Sequence, residues 1–355
     1  MNITQELEDL LRTVIERGAS DLHISVGRRP TLRIDGQLVQ IESKDVVSDD
    51  FAKQFVREIL KEDQRARFAE EKEIDFSYGF AGAARFRVNV FVQRGHLAAA
   101  LRLIPTKVLT LDELNHPPIL HNVTKMSQGF FLVVGPSGQG KSTTLAAMVD
   151  EVNHRRPCHI LTIEDPIEYL FTNDKAIVDQ REVGQDTKSF HAALRSVLRQ
   201  DPDVIMVGEM RDPETISAAI TAAETGHLVF STLHTNNASQ TIDRIIDSFP
   251  SAQQNQIRAQ LAGTLLGVLS RRLIPKVGGG RAGAFELLMA NAAVKNLIRE
   301  NKTHQIDLVI ETSAEEGMIS LNRSLAMLVK KGDISYEDAM VHSLNPSELR
   351  ILVSR

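Results

Sequence analysis

Residues 130–143 read FFLVVGPSGQGKST, an apolar run that opens into a glycine-rich turn and then a helix start. Phe130, Phe131, Leu132, Val133 and Val134 are the pattern of a strand buried on both faces of a parallel sheet. Gly135, Gly138 and Gly140 let the backbone turn tightly, so that successive N–H groups point into one concavity sized for phosphate. The pattern GxxxxGK[ST] is complete from Gly135 through Pro136, Ser137, Gly138, Gln139, Gly140 and Lys141 to Ser142, with Thr143 following. Its chemistry implies a bound nucleoside triphosphate. Lys141 would reach the β- and γ-phosphates, the Ser142 hydroxyl would hold Mg²⁺, and the helix beginning there would present its positive end.

Away from this loop the chain reads in two grammars. Leu7, Leu10, Leu11, Val14 and Ile15 recur at helical spacing, with Gly18 placed as a terminator. Short alternating segments follow at 21–26, 30–34 and 37–41, with Asp35-Gly36 as a hairpin turn, and Phe51 to Leu60 returns to helical periodicity. A second hairpin is expected around Ala81-Gly82-Ala83, and a strand over 97–104 ends at Pro105. These features define an α+β N-terminal domain over 1–105, with the proline-bearing stretch 106–122 as a linker. From 123 to 355 apolar strands alternate with helices. Phe130–Val134, Ile160–Ile163, Val204–Val207 and Leu228–Ser231 are the strand candidates of a RecA-like P-loop α/β core. The chain is expected to turn mostly helical from Ala252, with helices at 292–299 and 321–330, and Gly278, Gly279 and Gly280 read as a short flexible loop.

Composition narrows the partners. The 355 residues carry a formal net charge of −5, which gives no general drive toward nucleic acid, and no aromatic stacking series is present. One cysteine, Cys158, excludes an intrachain disulfide framework and a four-thiolate zinc site. No apolar run approaches membrane-spanning length, so direct membrane insertion is not expected.

A phosphate loop alone does not define a reaction, because hydrolysis also needs a metal carboxylate and a group that orients water. The apolar strand at Val204–Val207 leads through Gly208 to Glu209, a Walker B in which glycine stands for the usual aspartate and Glu209 inherits the metal role. The strand at 160–163 delivers Glu164, Asp165 and Glu168 within five residues; spacing does not decide whether Glu164 or Glu168 polarises water, and either is also compatible with surface charge. At a third strand end His234 is a candidate sensor of the γ-phosphate. Arg195 and Arg199, four apart, and Arg211 beside Glu209 would compensate phosphate charge or pair with neighbouring acids. Arg85 and Arg87 share one strand face, and with Arg102 they are either arginine fingers from the first domain or ordinary surface pairs.

Taken together, GPSGQGKST, TIEDPIEY, DPDVIMVGEMRD and GHLVFSTLHTNNA resemble, in order and spacing, the Walker A, Asp box, Walker B and His box of the secretion and type IV pilus motor ATPase family. RGASDLHISVGRRPTLRIDG resembles the opening of the family's PAS-like N-terminal domain, and ARFRVNVF the arginine-bearing strands beside its nucleotide. The resemblance covers nearly the whole chain. It implies ATP and Mg²⁺ as ligands, Glu164 and Glu168 in the Asp box, and His227 and His234 in the His box. It also implies a homohexameric ring, cytoplasmic and peripheral at the inner face of the cytoplasmic membrane, working against an inner-membrane pilus platform protein. AVKNLIRE at Ala293 to Glu300 is similar to the AIRNLIRE of the pilus-retraction branch, with Val294 and Lys295 as departures. Assembly and secretion members commonly carry a four-cysteine zinc element and a longer N-terminal region, neither of which is read here. Pilus assembly, protein secretion and a nucleotide-binding accessory paralogue stay open as alternatives to retraction.

Overall fold

A computed structural model describes residues 2–34, 36–80, 84–104 and 107–354. The turn residues Asp35 and Ala81-Gly82-Ala83, and the strand stop at Pro105, lie outside the described residues. The chain divides into two compact units, Met1–Lys107 with Pro166–Leu170, and Val108–Asp165 with Phe171–Arg355.

The first unit contains α1 (Ile3–Glu16), β1 (Asp21–Ser25), β2 (Thr31–Ile34), β3 (Gln37–Gln40), α2 (Asp49–Ile59), α3 (Glu62–Glu71), β4 (Glu73–Phe80), β5 (Ala84–Gln93) and β6 (His96–Ile104). Its strands form one antiparallel sheet in the order β3-β2-β1-β6-β5-β4. Leu7, Leu10, Leu11 and Val14 of α1 and Ala52, Phe55, Val56 and Ile59 of α2 are buried in the unit's core. Ile15, expected on the same stripe, is 37% exposed. Helix α3 buries no residue, which is why apolar periodicity does not reveal it. Its strong helix formers suffice, with Lys61 N–H donating to Gln64 Oε1 at 2.9 Å and an Arg67–Glu71 pair at 2.9 Å one turn apart.

The second unit contains α4 (Leu120–Val123), β7 (Gly129–Val134), α5 (Lys141–Arg155), β8 (His159–Glu164), β9 (Ile177–Glu182), α6 (Phe190–Val197), β10 (Val204–Val207), α7 (Pro213–Glu224) and β11 (Leu228–Leu233). It continues with α8 (Ala238–Asp247), α9 (Ser251–Thr264), β12 (Leu265–Pro275), β13 (Arg281–Met289), α10 (Ala292–Arg299), α11 (Ile306–Thr312), α12 (Leu321–Lys331), α13 (Tyr336–His342) and α14 (Pro346–Ser354). The sheet order is β13-β12-β7-β11-β10-β8-β9, parallel throughout except for β13. Every residue of β7, β10 and β11 is buried. Alternate side chains serve opposite layers: Phe130, Leu132 and Val134 pack among residues of α6, α7, α8 and α9, while Phe131 and Val133 pack with Leu145, Met148 and Val149 of α5.

Two expectations need correction, and one strand, β9, leaves no mark in the sequence. The stretch expected as a linker is largely part of the second unit from Val108 onward, where Leu111 and Leu120 are buried in one cluster with Phe131 and Met148. Its prolines mark turns on a packed segment rather than a free tether. Strand β9 lies at the sheet edge with few buried positions, so it lacks the apolar run that marks its neighbours. The C-terminal region is helical as expected in α9 and again from Ala292, but between them β12 and β13 form a long hairpin closed around Gly278–Gly280. Arg271, Arg272 and the glycines Gly267 and Gly283 interrupt its apolar pattern and hide it.

Gly267 sits where the β12–β7 register shifts, and a Cβ there would meet Leu288 O at 2.5 Å and Phe131 Cε2 at 3.0 Å. Gly267→Ala is therefore expected to lower unfolding stability by about 1–3 kcal/mol, read as a reduced midpoint in urea with an unchanged slope.

Candidate functional site

The parallel strands deliver their C-terminal ends to one edge of the second sheet, and the sequence motifs lie there in spatial order. The loop 135–140 follows β7, His234 follows β11, Glu209 follows β10, and Glu164 ends β8. This is the crevice in which open α/β sheets bind ligands.

Gly135, Gly138 and Gly140 all have positive φ, at 144°, 75° and 80°. At Gly135 the reason includes space as well as conformation, since a Cβ would lie 2.5 Å from the carbonyl oxygen of Arg271. Gly140 is the N-cap of α5 and supplies no side chain of its own, so the first turn of that helix opens onto the loop. Lys141 is 8% exposed, and its ammonium donates to Gly135 O at 2.9 Å and Pro136 O at 3.0 Å. The loop thus curls around the lysine head. Ser137 and Gly138 are exposed at its tip.

Lys141 Nζ lies 3.4 Å from His234 Nδ1, and His234 Nε2 lies 3.5 Å from Glu209 Oε2. Glu209 also pairs with Arg211, whose side chain is largely exposed. A cation at the start of α5, an imidazole past β11 and a carboxylate past β10 are therefore linked through His234. The Thr232 hydroxyl donates to Gly208 O at 2.6 Å, and the Ser231 hydroxyl donates to Val207 O at 2.9 Å. These bonds fix the end of β10 against β11. Gly208, where the motif usually has aspartate, sits against β8: a Cβ there would stand 3.3 Å from Ile163 O. Glu164 is buried and accepts from Thr162 Oγ1 at 2.7 Å and Gln180 Nε2 at 3.1 Å.

Not every expected residue joins this cluster. His227 precedes β11 and bonds back to Ala222 O at 2.8 Å, so the full strand separates it from His234. Six strand residues span roughly 20 Å. Arg195 is exposed in the last turn of α6, and Arg199, beyond that helix, donates to Arg195 O at 3.3 Å. Both precede β10 and lie toward the opposite end of the sheet from the phosphate loop. Within one chain, then, His227 and Arg195 stand apart from the cluster around Lys141. Glu168 is exposed and groups with the first unit. In that unit Arg87 and Arg102 are cross-strand partners; Arg102 Nε donates to Asp21 Oδ1 at 2.8 Å and Arg87 Nε lies 3.9 Å from Asp75. Arg85 lies two residues along the same strand from Arg87 and is half-buried.

Sequence reasoning missed the neighbour that shapes the loop. β12 pairs with β7 only as far as Ser270 opposite Val134, and its last residues, Arg271 to Pro275, run on beside the loop. Leu273 N–H donates to Gln139 Oε1 at 2.6 Å, and Arg271 Nη1 donates to Gly140 O at 3.0 Å and Thr144 Oγ1 at 2.7 Å. His116 Nε2 lies 3.0 Å from the same hydroxyl. Burial, and secondly the charge of Arg271, push the His116 imidazole down to about 3, so it stays neutral. The visible signal was Arg271-Arg272 inside an otherwise apolar strand.

Among the described residues no three His, Cys, Asp or Glu side chains converge as a metal cage. Mg²⁺ does not require one, because one or two protein oxygens beside nucleotide phosphates suffice. Ser142 in the first turn of α5 and Glu209 past the end of β10, two strands along from β7, are oxygen donors suited to that role.

The family described as type II/IV secretion system protein matches residues 1–279 of the chain. The chain belongs to that family. A protein of Pseudomonas aeruginosa named type IV pilus retractation ATPase PilT is 48% identical over 94% of this chain and 97% of its own length. A twitching motility protein of Neisseria gonorrhoeae is 45% identical over 90% of this chain and 86% of its own. The crystal structure of the pilus retraction motor PilT with bound ADP superposes with a TM-score of 0.91, at 47% identity, covering 97% of this chain and 98% of that one. The stretch AVKNLIRE falls on α10 and its C-cap, where Val294 and Ile298 are buried, Leu297 is partly buried, and Arg299 and Glu300 are exposed. Among the described residues no helix is long and apolar enough to cross a membrane.

Glu286 on β13 is 7% exposed and accepts from Ala238 N–H at 2.7 Å, holding the start of α8 just beyond the His234 loop. Burial raises its carboxyl to about 7; the Ala238 bond lowers it, nearby Asp307 raises it further and Arg272 lowers it. A folded pKa above the unfolded one means the native state holds this proton more tightly, so stability falls as pH rises from about 4.5 through 7. Glu286→Gln keeps an acceptor and removes the titration. Its thermal midpoint is expected to drop less than that of the unmodified protein between pH 5 and pH 8, a difference of about 3 kcal/mol at most, followed by calorimetry.

Proposed function

We propose that the chain is an ATP-hydrolysing motor that retracts type IV pili. The contacts of His234 with Lys141 on one side and Glu209 on the other support this reading, because they gather the loop's cation and a strand-end carboxylate around one imidazole at one sheet edge. Similarity to pilus retraction proteins along nearly the full chain supplies the biological direction.

In this reading the amides of residues 135–143 bind the phosphates, with Pro136, Ser137, Gln139 and Thr143 shaping the loop, and Lys141 neutralises charge at the β- and γ-positions. Ser142 and Glu209 would hold Mg²⁺, which would supply positive charge against the phosphates. Glu164, buried and fixed by two hydrogen bonds, orients the attacking water, and Glu168 is the second acidic candidate. His234 stands between Lys141 and Glu209 and exchanges one of these contacts for the terminal phosphate, so that loss of the phosphate is felt at two strand ends. Arg211 balances Glu209. Arg85, Arg87 and Arg102 are the arginine-finger candidates, for their own chain or a neighbouring copy, and Arg102 is paired with Asp21. The motor works as a homohexamer, cytoplasmic and peripheral at the inner face of the cytoplasmic membrane, and acts on a membrane platform protein that the exposed charges of α10 can reach.

Lys141→Ala is expected to lower phosphate release by purified protein with Mg²⁺ by about 10²-fold or more and to abolish retraction in cells; retraction at the unmodified rate would refute the motor reading. Deleting the gene separates the tasks. Surplus pili that do not retract are expected, whereas bald cells would assign the chain to assembly. Normal pilus function with only Glu209→Gln present would assign it to a nucleotide-binding accessory role.

A further inference from the structure

The guanidinium of Arg271 is 4% exposed, on the part of β12 that overruns β7. One nitrogen, Nη1, donates to both the Gly140 carbonyl and the Thr144 hydroxyl. A Cβ at Gly140 would stand 3.0 Å from Cζ of this guanidinium, so the loop's last glycine lies directly against it. The cation also lies 5.9 Å from the Phe285 ring centroid, and the His116 ring packs against the other partner of that stack at 4.8 Å from Phe285.

We infer that Arg271 is a positioning residue for nucleotide phosphate: it fixes the junction between the phosphate loop and α5, and through it the direction of the loop amides. The inference rests on the nucleotide-binding reading of that loop. Gly140 has φ 80° and N-caps α5 without a side-chain bond, so nothing in its own side chain fixes the junction. Thr144 N–H donates to Gly140 O at 3.1 Å, and Arg271 binds the same carbonyl, which locks the peptide that joins the loop to the helix. A planar fork held between a carbonyl, a hydroxyl and an aromatic ring has little freedom to move, which a flexible ammonium at that place would not share. The positive charge at the start of α5 adds to the helix dipole and favours an anion in the concavity. His116, kept neutral, shares the Thr144 hydroxyl without adding a second charge to the junction.

The consequence is selective. A residue that acts through the loop governs affinity for groups the loop holds and leaves alone those it does not. Binding of Mg-ADP, Mg-ATP and a fluorescent adenosine lacking phosphate is to be measured on the full chain carrying Arg271→Gln, Arg271→Lys or Thr144→Val, with steady-state ATP hydrolysis alongside. Arg271→Gln is expected to weaken Mg-ADP and Mg-ATP binding on the order of 10- to 100-fold with adenosine affinity unchanged. The KM for ATP then rises by a larger factor than kcat falls. Arg271→Lys recovers part of the loss because it restores charge without the fork, and Thr144→Val shows the same selectivity with a smaller loss. If Arg271→Gln does not fold, the other two variants decide by the same ratio. Equal weakening of adenosine and ADP, or unchanged ADP binding in every variant, overturns the inference. Failure of the unmodified chain to bind ADP would instead overturn the nucleotide reading itself.

Discussion

The site depends on one close approach of two backbones. Gly135 lies so near the carbonyl of Arg271 that no side chain fits between them, and the overrunning end of β12 then accompanies the loop to Gln139 and Gly140. A glycine-rich loop is by itself a costly thing to order, since glycine loses more conformational freedom than any other residue. Here the loop does not order alone. A neighbouring strand, itself paired to β7 on one side and β13 on the other, holds it at three points along its length. The phosphate concavity is therefore a property of the sheet edge as much as of the motif.

Sheet order explains why the electrostatics can be shared. In the order β7-β11-β10 the strand bearing His234 stands between the strand bearing the loop and the strand bearing Glu209. Adjacent strand axes are about 4.8 Å apart, so an imidazole on the central strand is the side chain of the right size to touch both neighbours. The hydroxyls of Ser231 and Thr232 hold β10 to β11 at that height. Gly208 follows from the same crowding. With Ile163 O 3.3 Å from the place a Cβ would occupy, the carboxylate is moved one residue on, to Glu209, where it clears β8.

Much of this was legible in the sequence, and the failures share causes. The fully buried strands β7, β10 and β11 announce themselves as continuous apolar runs, and each is followed at once by its chemical residue. Strand β9 and helix α3 bury too little to leave a periodic signature; the β12–β13 hairpin buries much, but two arginines and two glycines break its pattern. Those same interruptions are the functional part, since Arg271 braces the loop and Gly267 lets Leu288 approach. The distance of His227 and Arg195 from the Lys141 cluster was hidden for a different reason. They sit close in sequence to true strand-end residues, but proximity along a chain does not say which end of a strand a residue occupies. His227 and His234 flank the same six-residue strand and so face opposite edges of the sheet.

The hairpin that braces the loop also reaches the rest of its unit. Arg272, next to Arg271, donates to His342 O at the end of α13 at 3.2 Å, and Phe285 N–H donates to Ser324 Oγ in α12 at 3.0 Å. Glu286, beside Phe285, holds the first turn of α8. One stiff two-stranded element thus touches the phosphate loop, the helix that follows His234 and the C-terminal helices, with alternate residues directed to each. Packed elements of this kind shift between discrete arrangements rather than deform smoothly. The Gly140 carbonyl is bonded to Arg271 and Gly135 is in contact with its backbone, so the loop has little room to shift without β12. Arg272, the next residue of the same strand, is bonded to α13, which ties the loop and the C-terminal helices to one hairpin.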